Sequence, residues 1–194
     1  FKTTDGGTTW VPTASLGGLG IVGNIESMIQ TSGGTIDNNI FIGTAWWGKI
    51  FKTTNGGDNW IEVVDLTGVV EVDSLIQAAN GDLYAGTHYS SGTDEARIYR
   101  STNYGDNWEV VAAPSIDGEL SGCTTVESLI QASTGYFYCG TQPGHVWRSD
   151  DGDNWYKVGD NDNDFGGSYK IYSLLETSNG YIYVASRDPG NVYR

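Results

Sequence analysis

The sequence predicts an all-β fold of radially repeated four-stranded units, and three observations predict it. A phrase of the form Ser/Thr-x-Asp/Asn-x-Gly-x-x-Trp recurs at a period of about 48 residues, a second, apolar phrase recurs in step with it, and helix signals are scarce in a chain of 194 residues with 28 glycines. The first phrase starts at Thr3, Thr53, Ser101 and Ser149 and closes on Trp10, Trp60, Trp108 and Trp155; the last copy is one residue shorter. Its Asp5, Asn55, Asn103 and Asp151 suit a tight turn, because a short polar side chain bonds nearby backbone and the glycine supplies positive φ. Each closing tryptophan reads as a plug driven back into the core. An apolar and a basic residue precede every copy: Phe1-Lys2, Phe51-Lys52, Tyr99-Arg100, Trp147-Arg148 and a fifth start at Tyr193-Arg194.

The second phrase runs Glu26-Ser27-Met28-Ile29-Gln30, Asp73-Ser74-Leu75-Ile76-Gln77, Glu127-Ser128-Leu129-Ile130-Gln131 and Tyr172-Ser173-Leu174-Leu175-Glu176. Such short β-compatible runs are apolar enough to be buried on both faces, which suits the innermost strand of a unit. A turn signal such as Asn80-Gly81 or Asn179-Gly180 follows each one and leads into a third apolar run, forming a hairpin. The strand with the aromatic-basic pair and the tryptophan strand complete four. Four antiparallel strands repeated radially describe the blade of a β-propeller.

The predicted blades are residues 25–64, 72–112, 126–158, and 171–194 completed by 3–14, in one domain over 1–194. The chain starts and stops at the same phase of the repeat. Closure of a four-bladed ring by the N-terminal strand is therefore the expectation, since closure removes exposed edges. The alternative is four blades of a longer array, in which two chains could pair to make eight.

The turn phrase resembles the Asp-box, or bacterial neuraminidase repeat, of β-propellers such as sialidases, xyloglucan-cleaving glycoside hydrolases, sortilin-type receptors and photosystem II assembly factors. These relatives share the repeat and differ in chemistry, so the resemblance implies the fold and leaves function to the site. Sialidases of this kind hold the substrate carboxylate with three arginines. Here Lys2, Lys52, Arg100, Arg148 and Arg194 are repeat positions, and Arg97 and Arg187 are too few for a triad. A xyloglucan-cleaving enzyme needs two carboxylates across a cleft. Asp65, Glu71, Asp94, Glu95, Asp117, Glu119, Asp160, Asp162, Asp164 and Asp188 offer candidates without selecting a pair.

A net charge of −14 argues against binding nucleic acid or anionic membranes, and no apolar run suits membrane insertion. The sequence begins without Met and inside a repeat, so it reads as a processed or excerpted product, extracellular or periplasmic in origin. Cys139 aligns with Ile42, Ala85 and Val184 at a buried small position, and Cys123 falls in a loop opposite His145. Free thiols are favoured over a disulfide, and no cofactor is required.

Strand direction sends the uniform turns to one rim and the loops of varied length to the other, where binding usually resides. On the variable rim Glu26, Asp73 and Glu127, with Tyr172 in the fourth blade, stand at one level around the axis. Like charges that close must hold a cation, find hydrogen bonds or retain a proton; the alternative is that each acid bonds backbone of the next blade. Trp46, Trp47, Tyr89, His145 and Arg187 would wall such a pocket. Trp46-Trp47 forms a sugar-stacking platform unless one of the pair packs between blades. Asp160, Asp162 and Asp164 alternate as in a calcium loop, but Phe165 replaces its glycine and Ile171 its bidentate Glu, so calcium or another cation is expected to bind weakly at most. The functional reading is a non-catalytic module that binds glycan or protein. The alternative is a glycoside hydrolase, or a piece of one.

Overall fold

The computed structural model describes residues 1–15, 23–33, 38–89, 95–116, 118–158, 165, 170–188 and 190–194. The first blade comprises β1 (Ile25–Gln30), β2 (Ile40–Thr44), β3 (Lys49–Thr53) and β4 (Ile61–Asp65). The second comprises β5 (Val69–Gln77), β6 (Leu83–Tyr89), β7 (Arg97–Ser101) and β8 (Glu109–Ala112). The third comprises β9 (Thr125–Gln131), β10 (Phe137–Gln142), β11 (Val146–Ser149) and β12 (Tyr156–Val158). A fourth unit has β13 (Lys170–Glu176), β14 (Ile182–Arg187) and β15 (Val192–Tyr193). Within each unit consecutive strands pair antiparallel, and a bridge from His88 to Thr125 joins the second blade to the third.

The innermost strands β1, β5, β9 and β13 pack in that order, and the core lies between blades. Three apolar clusters fill three joints: Phe41 and Val72 belong to the first, Tyr84 and Val126 to the second, Ile171 and Val146 to the third. Glycine sets how close the blades come. Gly43, Gly86 and Gly140 share one register position, and a Cβ there would stand 2.6 Å from Val72 Cγ1, 2.6 Å from Val126 Cγ1, and against Ile171. No side chain fits that gap.

Polar clasps repeat beside this contact. Gln77 accepts the N–H of Ser32 at 2.8 Å and donates to its carbonyl at 3.1 Å; Gln131 accepts from the Ala79 N–H at 2.7 Å; Glu176 accepts from the Ser133 N–H and hydroxyl, each at 2.7 Å. Ser27 donates its hydroxyl to the Val72 carbonyl at 2.7 Å, and Ser74 accepts the Leu129 N–H at 3.0 Å. At the periphery Lys52 reaches Asp106 at 3.6 Å and Arg100 reaches Asp153 at 2.6 Å, so the basic residue of the first and of the second blade binds the turn of the following blade.

The turns use two side-chain anchors. Thr3, Thr53 and Ser101 accept the N–H of the glycine four residues on at 2.9, 3.0 and 2.9 Å, while Asp5, Asn55 and Asn103 accept another N–H at 2.9, 2.9 and 2.8 Å. In the shortened copy Ser149 and Asp151 keep both roles, accepting from Gly152 and Asn154 at 2.8 Å each. Burial alone would raise the pKa of Asp151, but the hydrogen bonds from Asn154, Asp153 and Ser149 hold it down at about 2.

Two expectations require correction. Residues 3–14 do not close a ring on the fourth unit; Lys2 and Val11 form an isolated bridge, and this hairpin lies against the first blade. Lys2 Nζ contacts Asp58 at 3.0 Å and the Gly56 carbonyl at 3.3 Å, and the Ala14 N–H donates to Gly57 at 2.8 Å. The cause is the forward pairing just described: Lys2 occupies the position of Lys52 and Arg100, so its hairpin belongs to the outer half of a unit preceding the first blade. Trp10 therefore plugs no core among the described residues and is 59% exposed, whereas Trp155 is 4% exposed and Trp60 and Trp108 are half-buried.

Replacing Gly86 by Ala forces Cβ into Val126 and should cost about 1–3 kcal/mol, the usual penalty of overpacking. Urea unfolding measures it. A variant as stable as the parent would show that the joint is not close-packed there.

Candidate functional site

At one equivalent position of each innermost strand the pairing skips a residue, between Ile25 and Ser27, Val72 and Ser74, Val126 and Ser128, and Ile171 and Ser173. The skipped residues are Glu26, Asp73, Glu127 and Tyr172. A β-bulge leaves its extra residue unpaired and re-aims its side chain, so the same defect in four blades presents four side chains at one level.

The centre of the group is Asp73. Burial raises its carboxyl most, and Glu127, Glu71 and Glu26 raise it further against the opposing Lys170, so its pKa is pushed up to about 8. At neutral pH Asp73 is largely protonated. Its Oδ2 is buried without a hydrogen-bond partner among the described residues. Glu127, 6% exposed at its side chain, takes the Lys170 ammonium at 2.6 Å. Glu71 lies 3.4 Å from His88 Nδ1, and Glu26 faces solvent. The like charges are thus managed by one retained proton and one ion pair. Among the described residues no group of three or more His, Cys, Asp or Glu is arranged to hold a metal; Asp160, Asp162 and Asp164 lie outside the described residues.

Sequence reasoning named Glu71 only among the carboxylates of the variable rim, apart from the acid group, and missed Lys170 as its counterpart. They occupy one register position, immediately before Val72 and Ile171, two residues from the bulged side chain. A scan of that second position would have found them. Tyr172, expected in the fourth place, brings no charge: it is exposed, its hydroxyl accepts from Arg187 Nη1 at 3.3 Å, and the Lys170 ammonium sits 5.5 Å from its ring centroid.

The predicted walls differ among themselves. Trp46 and Trp47, on the β2–β3 loop at the same rim, are 68% and 53% exposed, and Trp46 has φ 76°. Positive φ is uncommon for a bulky residue and marks a shaped turn. Tyr89 is packed beneath the Arg97 guanidinium, 4.2 Å from its centroid, and His145 is half-buried with Nδ1 3.9 Å from the Cys123 sulfur. Arg187 pairs with Asp188 at 3.0 Å. Other carboxylates are engaged elsewhere: Asp65 and Glu95 pair with Lys49 and Arg97, and Glu119 accepts the Trp155 backbone N–H at 2.6 Å, away from the acid group. Asp94 and Asp117 lie outside the described residues.

No protein-family model matches this chain, and no curated protein matches it. Solved structures do. An ancestral GH74 enzyme superposes with TM-score 0.64 at 21% identity, over 86% of this chain and 23% of that one. YCF48 bound to D1 peptide gives 0.61 at 16% over 97% and 55%, and the GH74 enzyme of Niastella koreensis 0.61 at 17% over 87% and 28%. The fold is that of a partial β-propeller. The chain spans between about a quarter and about half of the length of these structures.

Because the folded state binds the Asp73 proton more tightly than the unfolded chain, its contribution to stability is full below pH 3.8 and is lost as pH rises through about 8. Asp73→Asn removes this loss. The melting temperature of the variant should therefore gain on the parent as pH rises across that range, by several degrees, given that about 1 kcal/mol moves Tm by roughly 2–4 °C at this size. Parallel curves would show that Asp73 titrates normally.

Proposed function

We propose that this chain is a binding module of the Asp-box propeller type whose variable rim takes a glycan. The observation that carries this reading is the exposed Trp46-Trp47 pair on the same rim as a polar group of mixed character. Tryptophan faces stack on the apolar faces of sugar rings. Protonated Asp73 and Lys170 supply donors while Glu26 and Glu127 supply acceptors, a combination suited to a neutral polyol. A ligand hydroxyl would also satisfy the lone buried oxygen of Asp73. Such a ligand fits an extracellular or periplasmic protein; no helix among the described residues is long and apolar enough to cross a membrane.

A second reading rests on one observation. Asp73 carries a proton at neutral pH beside Glu127, which is paired with the Lys170 ammonium, an arrangement of the kind that places a general acid beside a second carboxyl group. The similarity to GH74 enzymes supports keeping it, as the similarity to YCF48 with its D1 peptide supports a protein ligand.

A glycan array probed with the parent and with Trp46→Ala/Trp47→Ala tests the proposal. Binding that falls at least about tenfold in the double variant, as loss of over about 1.4 kcal/mol of stacking predicts, supports it. Hydrolysis of a bound polysaccharide, abolished by Asp73→Asn, would convert the module into an enzyme, and a blank array would remove the glycan.

A further inference from the structure

The innermost strands end as regularly as they begin. At the end away from the acid group, Gln30, Gln77, Gln131 and Glu176 share one register position. Gln77 and Gln131 each use both ends of the amide: the carbonyl accepts a backbone N–H of the preceding blade, and Nε2 donates to the carbonyl of Ser32 or of Gly135, each at 3.1 Å. Glu176 makes its clasp with acceptors alone, Oε2 taking the Ser133 N–H and Oε1 the Ser133 hydroxyl at 2.7 Å. An amide would hold that N–H as its neighbours do. The clasp therefore accounts for the reach of the side chain and leaves its charge over, with two of the roughly four acceptor sites of a carboxylate used.

Glu176 stands at the edge of a cavity of about 600 Å³ where the ends of β5, β9 and β13 come together. Ile76, Leu129 and Ile130 give it apolar walls, and Gln77, Gln131 and Ser133 are its neutral polar groups. The volume lies within the roughly 300–1,000 Å³ of small-molecule sites, and the mixture of an apolar lining with a few placed polar groups is theirs too. Glu176 is the one charged residue of this lining among the described residues, and no Lys, Arg or His faces it there. With a net charge of −14 on the chain, the field at the cavity favours a cation. A metal ion is poorly served, since hard cations take six or more oxygen ligands and apolar walls supply none. An organic cation uses both halves of the lining.

We propose that this cavity binds a small organic cation, a primary ammonium on an apolar body, at a site separate from the variable rim. The ammonium donates to the free acceptor sites of Glu176 in a charge-assisted bond, and the apolar body lies against Ile76, Leu129 and Ile130. The two ends of the innermost strands then take ligands of different chemistry. The bulged end offers a mixed donor and acceptor group suited to a neutral polyol; the clasped end offers one carboxylate beside an apolar wall.

Titration of the full chain with benzylammonium, followed through the isoleucine methyl resonances and set against benzyl alcohol and benzoate at equal ionic strength, tests this. The expected result is a saturable shift at Ile76 and Ile130 with benzylammonium, and binding at least about tenfold weaker for the alcohol and for benzoate, as loss of a hydrogen bond to a charged group predicts. Glu176→Gln keeps an acceptor for the Ser133 N–H, so it should melt close to the parent while binding benzylammonium as weakly as the parent binds the alcohol. Trp46→Ala/Trp47→Ala should bind benzylammonium as the parent does, whatever becomes of glycan binding. No saturable shift at the two isoleucines, equal affinity for alcohol and ammonium, or unchanged affinity in a folded Glu176→Gln overturns the site. The comparison of the three compounds on the parent decides the matter even where that variant does not fold. Loss of benzylammonium in the tryptophan double variant overturns its separateness from the rim.

Discussion

The structure depends on one contact made three times, a branched residue of an innermost strand seated on a bare glycine of the preceding blade. Val72 on Gly43, Val126 on Gly86 and Ile171 on Gly140 fix the separation of the blades, and the apolar clusters lie around these contacts. A blade alone has two apolar faces and too little interior to bury either. The joint is therefore the unit of stability, as expected of an array in which each repeat is stabilised by its neighbours.

The same joint builds the acid group. Close approach of β5, β9 and β13 brings their bulges to one level, and a side chain that would be solvated on a single sheet is buried among its counterparts. Asp73 answers by keeping its proton, and Glu127 by taking Lys170. The outer blades show the dependence from the other side. Glu26, on the blade with no inner strand packed before it among the described residues, remains in solvent, as Met28 does.

The repeated turn works differently, since its bonds are local. A Ser/Thr hydroxyl and an Asx side chain each hold one backbone N–H, and this survives the loss of a residue in the fourth copy. The N-terminal copy also forms its turn although no inner strands stand behind it among the described residues. Turn formation and tryptophan burial are thus separable: the first needs a few residues, the second a whole blade.

What the sequence alone determined is what local chemistry and periodicity control. The strands, hairpins and turns follow from alternating apolar runs and Asx-Gly phrases, and the level of Glu26, Asp73 and Glu127 follows from register. What only the tertiary structure decided is what depends on which surfaces meet. The phase match of Thr3 with Arg194 suggested ring closure, yet phase records only where a segment stands in the repeat, and Lys2 binds the turn of the first blade. Likewise Lys170 sits outside the phrase that marked the acids, and its approach to Glu127 is set by the packing of two blades whose residues are 43 positions apart. A sequence pattern carries the period of such an array; the partner of each face is fixed by three-dimensional contact.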